Sequence, residues 1–175
     1  MVNQHVNDEL PVMMYGRSME EAIKVGVDYM RIMDARKKHW HEQYLGKPWS
    51  HEPDPPNSFN CGELLRHVYK VHFGYDAPVI LADTNIISSC IDDVRNIRRY
   101  YSGMVEAAVP QDFDLAVLSR SDPEHADHVG LYAGGSILHC RPKVGVFLDD
   151  AFVLGKMGWR NIRYFRLEGL ARCTP

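Results

Sequence analysis

The fold expected of this chain is built around residues 128–141, which have the sequence HVGLYAGGSILHCR. Two runs of mainly apolar residues, 128–133 and 136–140, flank the pair Gly134-Gly135. A Gly-Gly pair between two such runs predicts a β-hairpin whose loop has two residues. With a two-residue loop, Ala133 pairs with Ser136, and this pair sets the register of the whole hairpin.

That register predicts a contact between two histidines. His128 faces Arg141, and His139 lies diagonally from His128 on the same face of the hairpin. Diagonal neighbours on a sheet stand about 7–8 Å apart at the backbone, which is within side-chain reach. A three-residue loop would break the contact, because a one-residue slip moves a side chain to the opposite face. Without other evidence, two histidines placed in this way are more often ordinary core or surface side chains than catalytic groups.

The segments around the hairpin predict an α+β domain with N-terminal helices packed on a central antiparallel sheet. Helices are expected before it, from Ser18 to near Gly46, from Asn60 to Gly74 and from Ser89 to Tyr101. Further strands are expected at Asp114–Ser119, Val144–Leu148 and Ile162–Leu167. Helices first and strands afterwards are typical of this class. The domain organisation expected is an N-terminal arm, residues 1–17, followed by a single domain, residues 18–175.

Composition excludes several classes of protein. The chain has 175 residues, of which 45% are hydrophobic and 25% charged, and its net charge is −3. This balance argues against a strongly basic nucleic-acid binder and against intrinsic disorder. No apolar run approaches the roughly 18 residues of a membrane-spanning helix, so no membrane insertion is expected. The first residues lack a signal-peptide pattern, so synthesis in a reducing cytoplasm is expected.

Among the four cysteines, Cys61 has the most informative position. No C-x-x-C motif occurs, so neither a zinc ribbon nor a redox dithiol is indicated. Cys61 falls at the first turn of the helix capped by Asn60, where the helix dipole stabilises a thiolate. The alternative is a small hydrophobe on the buried stripe formed with Leu64, Leu65, Val68 and Tyr69. A nucleophilic cysteine also needs a base and a group that orients the base, and His128 and His139 are the candidates.

These segments resemble the NlpC-type cell-wall cysteine peptidases, a papain-like family. Residues 60–69, NCGELLRHVY, resemble the nucleophile helix, and residues 128–135, HVGLYAGG, resemble the general-base strand. Ile137-Leu138-His139 resembles the strand of the third catalytic group. Two weaker matches keep the same order, LGKPW at 45–49 and VPQDFDL at 109–115. Together the matches cover about residues 40–167.

The resemblance implies a papain-like fold and hydrolysis of a peptide bond in the stem peptide of peptidoglycan. In the family this is often the bond between γ-D-glutamate and a diamino acid. It implies Cys61 as nucleophile, His128 as general base and His139 as the group that orients His128. It implies that Trp49 lines the substrate groove, and that neither a cofactor nor a metal is needed.

The chain departs from the family pattern in three places. Asn60 stands where the family usually has Asp, and Asn caps a helix about as well. Gly62-Glu63 stands where a small residue and then Gly are common, which leaves open whether Glu63 points toward the cleft. Residues 77–110 form a longer connection than the family minimum, and a packed surface helix is expected there.

A finer resemblance concerns residues 71–78, VHFGYDAP, which are most similar to members associated with bacteriophage tails. It implies a location in the virion after synthesis in the host cytoplasm, with other tail-tip proteins as partners. The main alternative is a structural tail-tip component that keeps the fold with little or no catalysis.

Two weaker alternatives remain at this point. Metal binding would use the nitrogen and sulfur ligands of the pairs His39 and His41, His125 and His128, and His139 and Cys140, although no spacing matches a strong zinc pattern. Nucleic-acid binding would use Arg95, Arg98 and Arg99. With a net charge of −3, these arginines are better explained as a solvated helix face.

Overall fold

The computed structural model describes residues 39–77, 103–123 and 126–168, together with Ile23, Lys24 and Val27. The chain divides into two compact units, Met1–Trp40 with Pro175, and His41–Thr174. In the first unit, Ile23, Lys24 and Val27 are helical. The arm predicted at 1–17 and the helix predicted from Ser89 to Tyr101 lie outside the described residues. The domain boundary at residue 18 therefore stays a prediction.

The second unit begins with a short 3-10 helix, Glu42–Tyr44. The prediction that an α-helix continues to near Gly46 is wrong. Leu45 leaves the helical region with ψ 136°, and Gly46 follows with φ 76°. The Gly46 N–H donates to the carbonyl of Val146 at 2.8 Å, so the chain turns here to pair with the sheet.

Helix α1, Cys61–Phe73, has the ends that its sequence predicts. The Asn60 side chain accepts a hydrogen bond from the Glu63 N–H at 2.8 Å, as an N-cap does. Gly74 ends the helix in the left-handed conformation, with φ 64°, which glycine adopts without a steric penalty. The predicted apolar stripe is buried: Cys61, Leu64, Leu65, Val68 and Tyr69.

In the described part of the chain, six antiparallel strands form one sheet in the order β1-β6-β2-β3-β4-β5. Their bounds are β1 Met104–Glu106, β2 Leu115–Ser119, β3 His128–Ala133, β4 Ser136–Arg141, β5 Gly145–Asp150 and β6 Asn161–Leu167. Helix α1 packs against β3 and β4, and the Tyr69 hydroxyl donates to the Phe113 carbonyl at 3.1 Å. The predicted α+β class, with a helix on an antiparallel sheet, is confirmed.

Two short elements were not expected from the sequence. Strand β1 extends one edge of the sheet beside β6. Helix α2, Ala151–Lys156, follows β5 directly and is capped by Asp150, whose side chain accepts from the Val153 N–H at 2.8 Å. Leu154 of α2 joins a buried cluster with Ala116, Leu118, Ile137 and Trp159. No helix in the described part of the chain is both long and apolar enough to cross a membrane.

Candidate active site

Cys61 is the first residue of α1, and the residue is 8% exposed. The start of a helix carries partial positive charge, because its first N–H groups have no acceptor within the helix. A thiolate and the oxyanion of an acyl-transfer intermediate are both stabilised in such a position. Glu63 turns to Arg66 on the same helix, with Oε1 and Nη1 2.7 Å apart, which settles the direction of this side chain.

Strand β4 contacts the residues just before α1 through the thiol of Cys140. Cys140 Sγ donates to the carbonyl of Phe59, two residues before Cys61, across 3.2 Å. Burial, with a smaller contribution from the nearby Cys61, raises the pKa of Cys140 to about 12. The thiol of Cys140 is therefore held in its protonated form next to the proposed nucleophile, and Cys140 directly follows His139 in the chain.

The predicted contact between the two histidines is present. Ala133 pairs with Ser136, so the hairpin loop has two residues. Nε2 of His128 lies 2.9 Å from Nδ1 of His139, and the two ring planes meet at 68°. Nε2 of His128 takes part in this hydrogen bond, whereas Nδ1, the other nitrogen of the ring, does not.

Aromatic rings enclose this imidazole pair. Trp159 stacks on His128 with ring centroids 5.5 Å apart, and the Arg120 guanidinium lies 4.3 Å from the centroid of the Trp159 ring. Phe147 packs on His139 with centroids 4.4 Å apart. Burial lowers the pKa of both histidines below the usual value. Both rings are therefore neutral near pH 7, as a general base must be before it accepts a proton.

A carboxylate completes the chain of contacts. Oδ2 of Asp149, on β5, lies 3.2 Å from Nε2 of His139. The His139 side chain is 0% exposed and that of Asp149 is 11% exposed. Asp149 raises the pKa of His139, but less strongly than burial lowers it. The result is a series of hydrogen-bonding partners, Asp149, His139 and His128, of which the two histidines are buried.

Gly130 permits the close approach of β3 and β4 beside the imidazoles. A Cβ atom at this position would lie 2.6 Å from Cγ2 of Ile137 and 3.0 Å from Cβ of His139. Separations this short are not tolerated in packed interiors. The close approach of the two strands therefore explains why a glycine stands at position 130.

Trp49 lies beside the residues that lead into α1. It forms an isolated parallel bridge with Phe59, and its half-buried ring stacks on His51 with centroids 5.7 Å apart. This position is compatible with the predicted role of Trp49 in lining a groove next to Cys61. That role, like those of Cys61, His128 and His139, stays a prediction.

Among the solved structures that are similar to this chain are two with 17% sequence identity each. The NlpC/p60 domain of the peptidoglycan hydrolase SagA has a TM-score of 0.48, over 71% of this chain and 91% of that domain. An NLP/P60 family protein of Staphylococcus aureus, described as similar to lipoprotein, has a TM-score of 0.43 over 72% of this chain and 38% of its own. Both scores lie below 0.5, so neither structure assigns the chain to a family. No protein-family model and no curated protein matches the sequence.

The two alternative sites, for a metal ion and for nucleic acid, fall only in part within the described residues. Within the ranges that the structure describes, no group of three or more histidine, cysteine, aspartate or glutamate side chains is arranged to hold a metal ion. His125, one of the residues considered as a ligand, lies outside those ranges. So do Arg95, Arg98 and Arg99, the residues considered for nucleic-acid binding.

The sequence did not point to Asp149 or Trp159. The strand predicted at 144–148 stops one residue before Asp149, whereas β5 extends to Asp150. The register of β4 and β5 pairs His139 with Phe147 and Ile137 with Asp149. If residues 142–144 are taken as a three-residue loop, Asp149 lies diagonally from His139 on the same face of the sheet. The length of this loop is therefore the feature of the sequence that could identify Asp149. Trp159 reaches His128 only through the tertiary fold.

Proposed function

We propose that this protein is a cysteine peptidase that hydrolyses a peptide bond in the stem peptide of peptidoglycan. One observation carries the proposal: a cysteine at the start of a helix, with a hydrogen-bonded pair of buried imidazoles on the strands against which that helix packs. The resemblance of residues 60–69 and 128–139 to NlpC-type peptidases supplies the substrate class.

In the first half of the proposed reaction, Nδ1 of His128 takes the proton from the Cys61 thiol as Sγ attacks the carbonyl carbon of the scissile bond. The resulting oxyanion is held by backbone N–H groups at the start of α1. The carbon–nitrogen bond then breaks, and the protonated His128 gives its proton to the leaving amine. The acyl group remains on Sγ as a thioester.

In the second half, water hydrolyses the thioester. His128 takes a proton from the water as the hydroxide adds to the carbonyl carbon, and the carbon–sulfur bond breaks. The proton returns to Sγ, so both residues regain their starting states. His139 holds the His128 ring and stabilises its protonated form.

Mass analysis of the products from purified peptidoglycan sacculi tests this proposal. We expect soluble stem-peptide fragments with a new α-carboxyl or γ-carboxyl group on one side of the cut and a new amine on the other. The control is the same sacculi incubated without protein. The proposal is overturned if the products carry new sugar reducing ends, if whole stem peptides leave the glycan, or if nothing is released.

From the resemblance of residues 71–78, we propose further that the enzyme acts as part of a bacteriophage tail, where it opens the cell wall during infection. Other tail-tip proteins would then be its partners, and the virion its location after synthesis in the host cytoplasm. A structural tail-tip component that keeps the fold without catalysis is the alternative. That alternative predicts an unreactive Cys61, whereas the enzyme requires a reactive one.

A further inference from the structure

We infer that Asp149 is a positioning residue that fixes the tautomers of both imidazoles and so leaves the lone pair of His128 Nδ1 available as the base. The inference rests on the proposed function and extends it by a residue that acts through His139. Its basis is the two contacts in series, 3.2 Å from Asp149 Oδ2 to His139 Nε2 and 2.9 Å from His139 Nδ1 to His128 Nε2.

The chemistry of the three groups allows one arrangement of protons. An ionised carboxylate only accepts hydrogen bonds, whereas a neutral imidazole has one N–H donor and one lone pair. The Nε2 atom of His139 must therefore carry the proton and donate it to Asp149. Nδ1 of His139 is then an acceptor, so Nε2 of His128 must carry the proton that joins the two rings. This leaves a lone pair on Nδ1 of His128.

The opposite arrangement is excluded by the carboxylate. If Nδ1 of His139 carried the proton, its Nε2 lone pair would face the lone pairs of Asp149 at 3.2 Å inside the protein. A repulsive contact of this kind is poorly screened where water is absent. That arrangement would also place a proton on Nδ1 of His128, since Nε2 would then be the acceptor, and the base would have no site for the thiol proton.

Imidazole nitrogen NMR on the ¹⁵N-histidine-labelled, full-length protein at neutral pH tests the inference without any assay of activity. We expect His128 and His139 to be protonated at Nε2 and unprotonated at Nδ1. In Asp149→Asn, the amide can donate to His139 Nε2, so we expect both rings to shift toward protonation at Nδ1. Finding Nδ1–H on either ring of the unaltered protein would overturn the inference, whether or not any variant folds.

Asp150→Asn is the matched control, because Asp150 caps α2 and Asn is an equally good cap. We expect Asp149→Asn to lower the rate of peptide cleavage by about 10²-fold, the scale of general-base catalysis, while Asp150→Asn keeps the rate and the tautomers. Equal effects of the two variants would count against the inference. Correct tautomers in a protein that cleaves no peptide would refute the proposed function instead.

Discussion

Replacing Cys61 with alanine is expected to lower the rate of peptidoglycan cleavage by more than about 10⁴-fold, as loss of a nucleophile does in other covalent enzymes. The rate falls because water, without the thiol, must attack the peptide bond directly. The fold should persist, since alanine keeps the small volume and helix propensity required at the first position of α1. Release of stem peptides from sacculi, followed over time, measures the rate.

Cys140→Ala is the matched control for this variant. Both cysteines are buried, and they lie close enough for Cys61 to affect the pKa of Cys140. Removing Cys140 deletes the hydrogen bond to the Phe59 carbonyl, which should lower stability by about 1 kcal/mol and leave most of the activity. Retention of normal cleavage by Cys61→Ala, or an equal loss in both variants, would remove Cys61 from the mechanism.

The largest expected effect on stability is that of Gly145→Ala, at about 3 kcal/mol or more. Gly145 begins β5 with φ 90°, and an added Cβ would overlap the carbonyl oxygen of Lys47 and lie 3.3 Å from Cα of Pro48. Next to this contact, the Gly46 N–H donates to the Val146 carbonyl and the Val146 N–H donates to the Lys47 carbonyl, both at 2.8 Å. The overlap would therefore separate β5 from the segment that leads to Trp49 and α1.

The Gly158→Ala variant gives the cost of backbone strain in unfolding free energy without the steric overlap. Gly158 has φ 91°, nearly the same as Gly145, but no atom lies within 4 Å of its added Cβ. Its cost should be about 1 kcal/mol, the penalty for a left-handed residue other than glycine. Denaturant unfolding of both variants gives the comparison. Similar losses of unfolding free energy would show that the contact with Lys47 has no energetic importance.

The parts of the fold that are specified by residues close together in the sequence were predictable. Asn60 and Gly74 mark the ends of α1 through local capping chemistry, and Gly134-Gly135 sets the register that joins His128 to His139. In each case the signal lies within a few residues of the structure that it specifies. The fold class followed from the order of these segments.

The positions of Asp149 and Trp159 depend on the geometry of one loop and on tertiary packing. Strand β5 pairs with β4 through a loop in which Lys143 has φ 68°, a conformation that non-glycine residues rarely adopt. The sequence prediction did not assign the length of this loop, so it ended the strand at Leu148 and did not place Asp149 beside His139. Trp159 stacks on His128 from 31 positions further along the chain, and no local pattern encodes such a contact.

In the proposed mechanism His128 activates Cys61, and brief alkylation with limiting iodoacetamide at neutral pH tests this activation. Peptide mapping by mass spectrometry locates the modified thiol, and Cys140 serves as an internal control because burial raises its pKa to about 12. We predict rapid modification of Cys61, no modification of Cys140, and at least about a tenfold slower modification of Cys61 in His128→Ala. An unreactive Cys61, or one that reacts at the same rate in both proteins, would contradict the proposed activation.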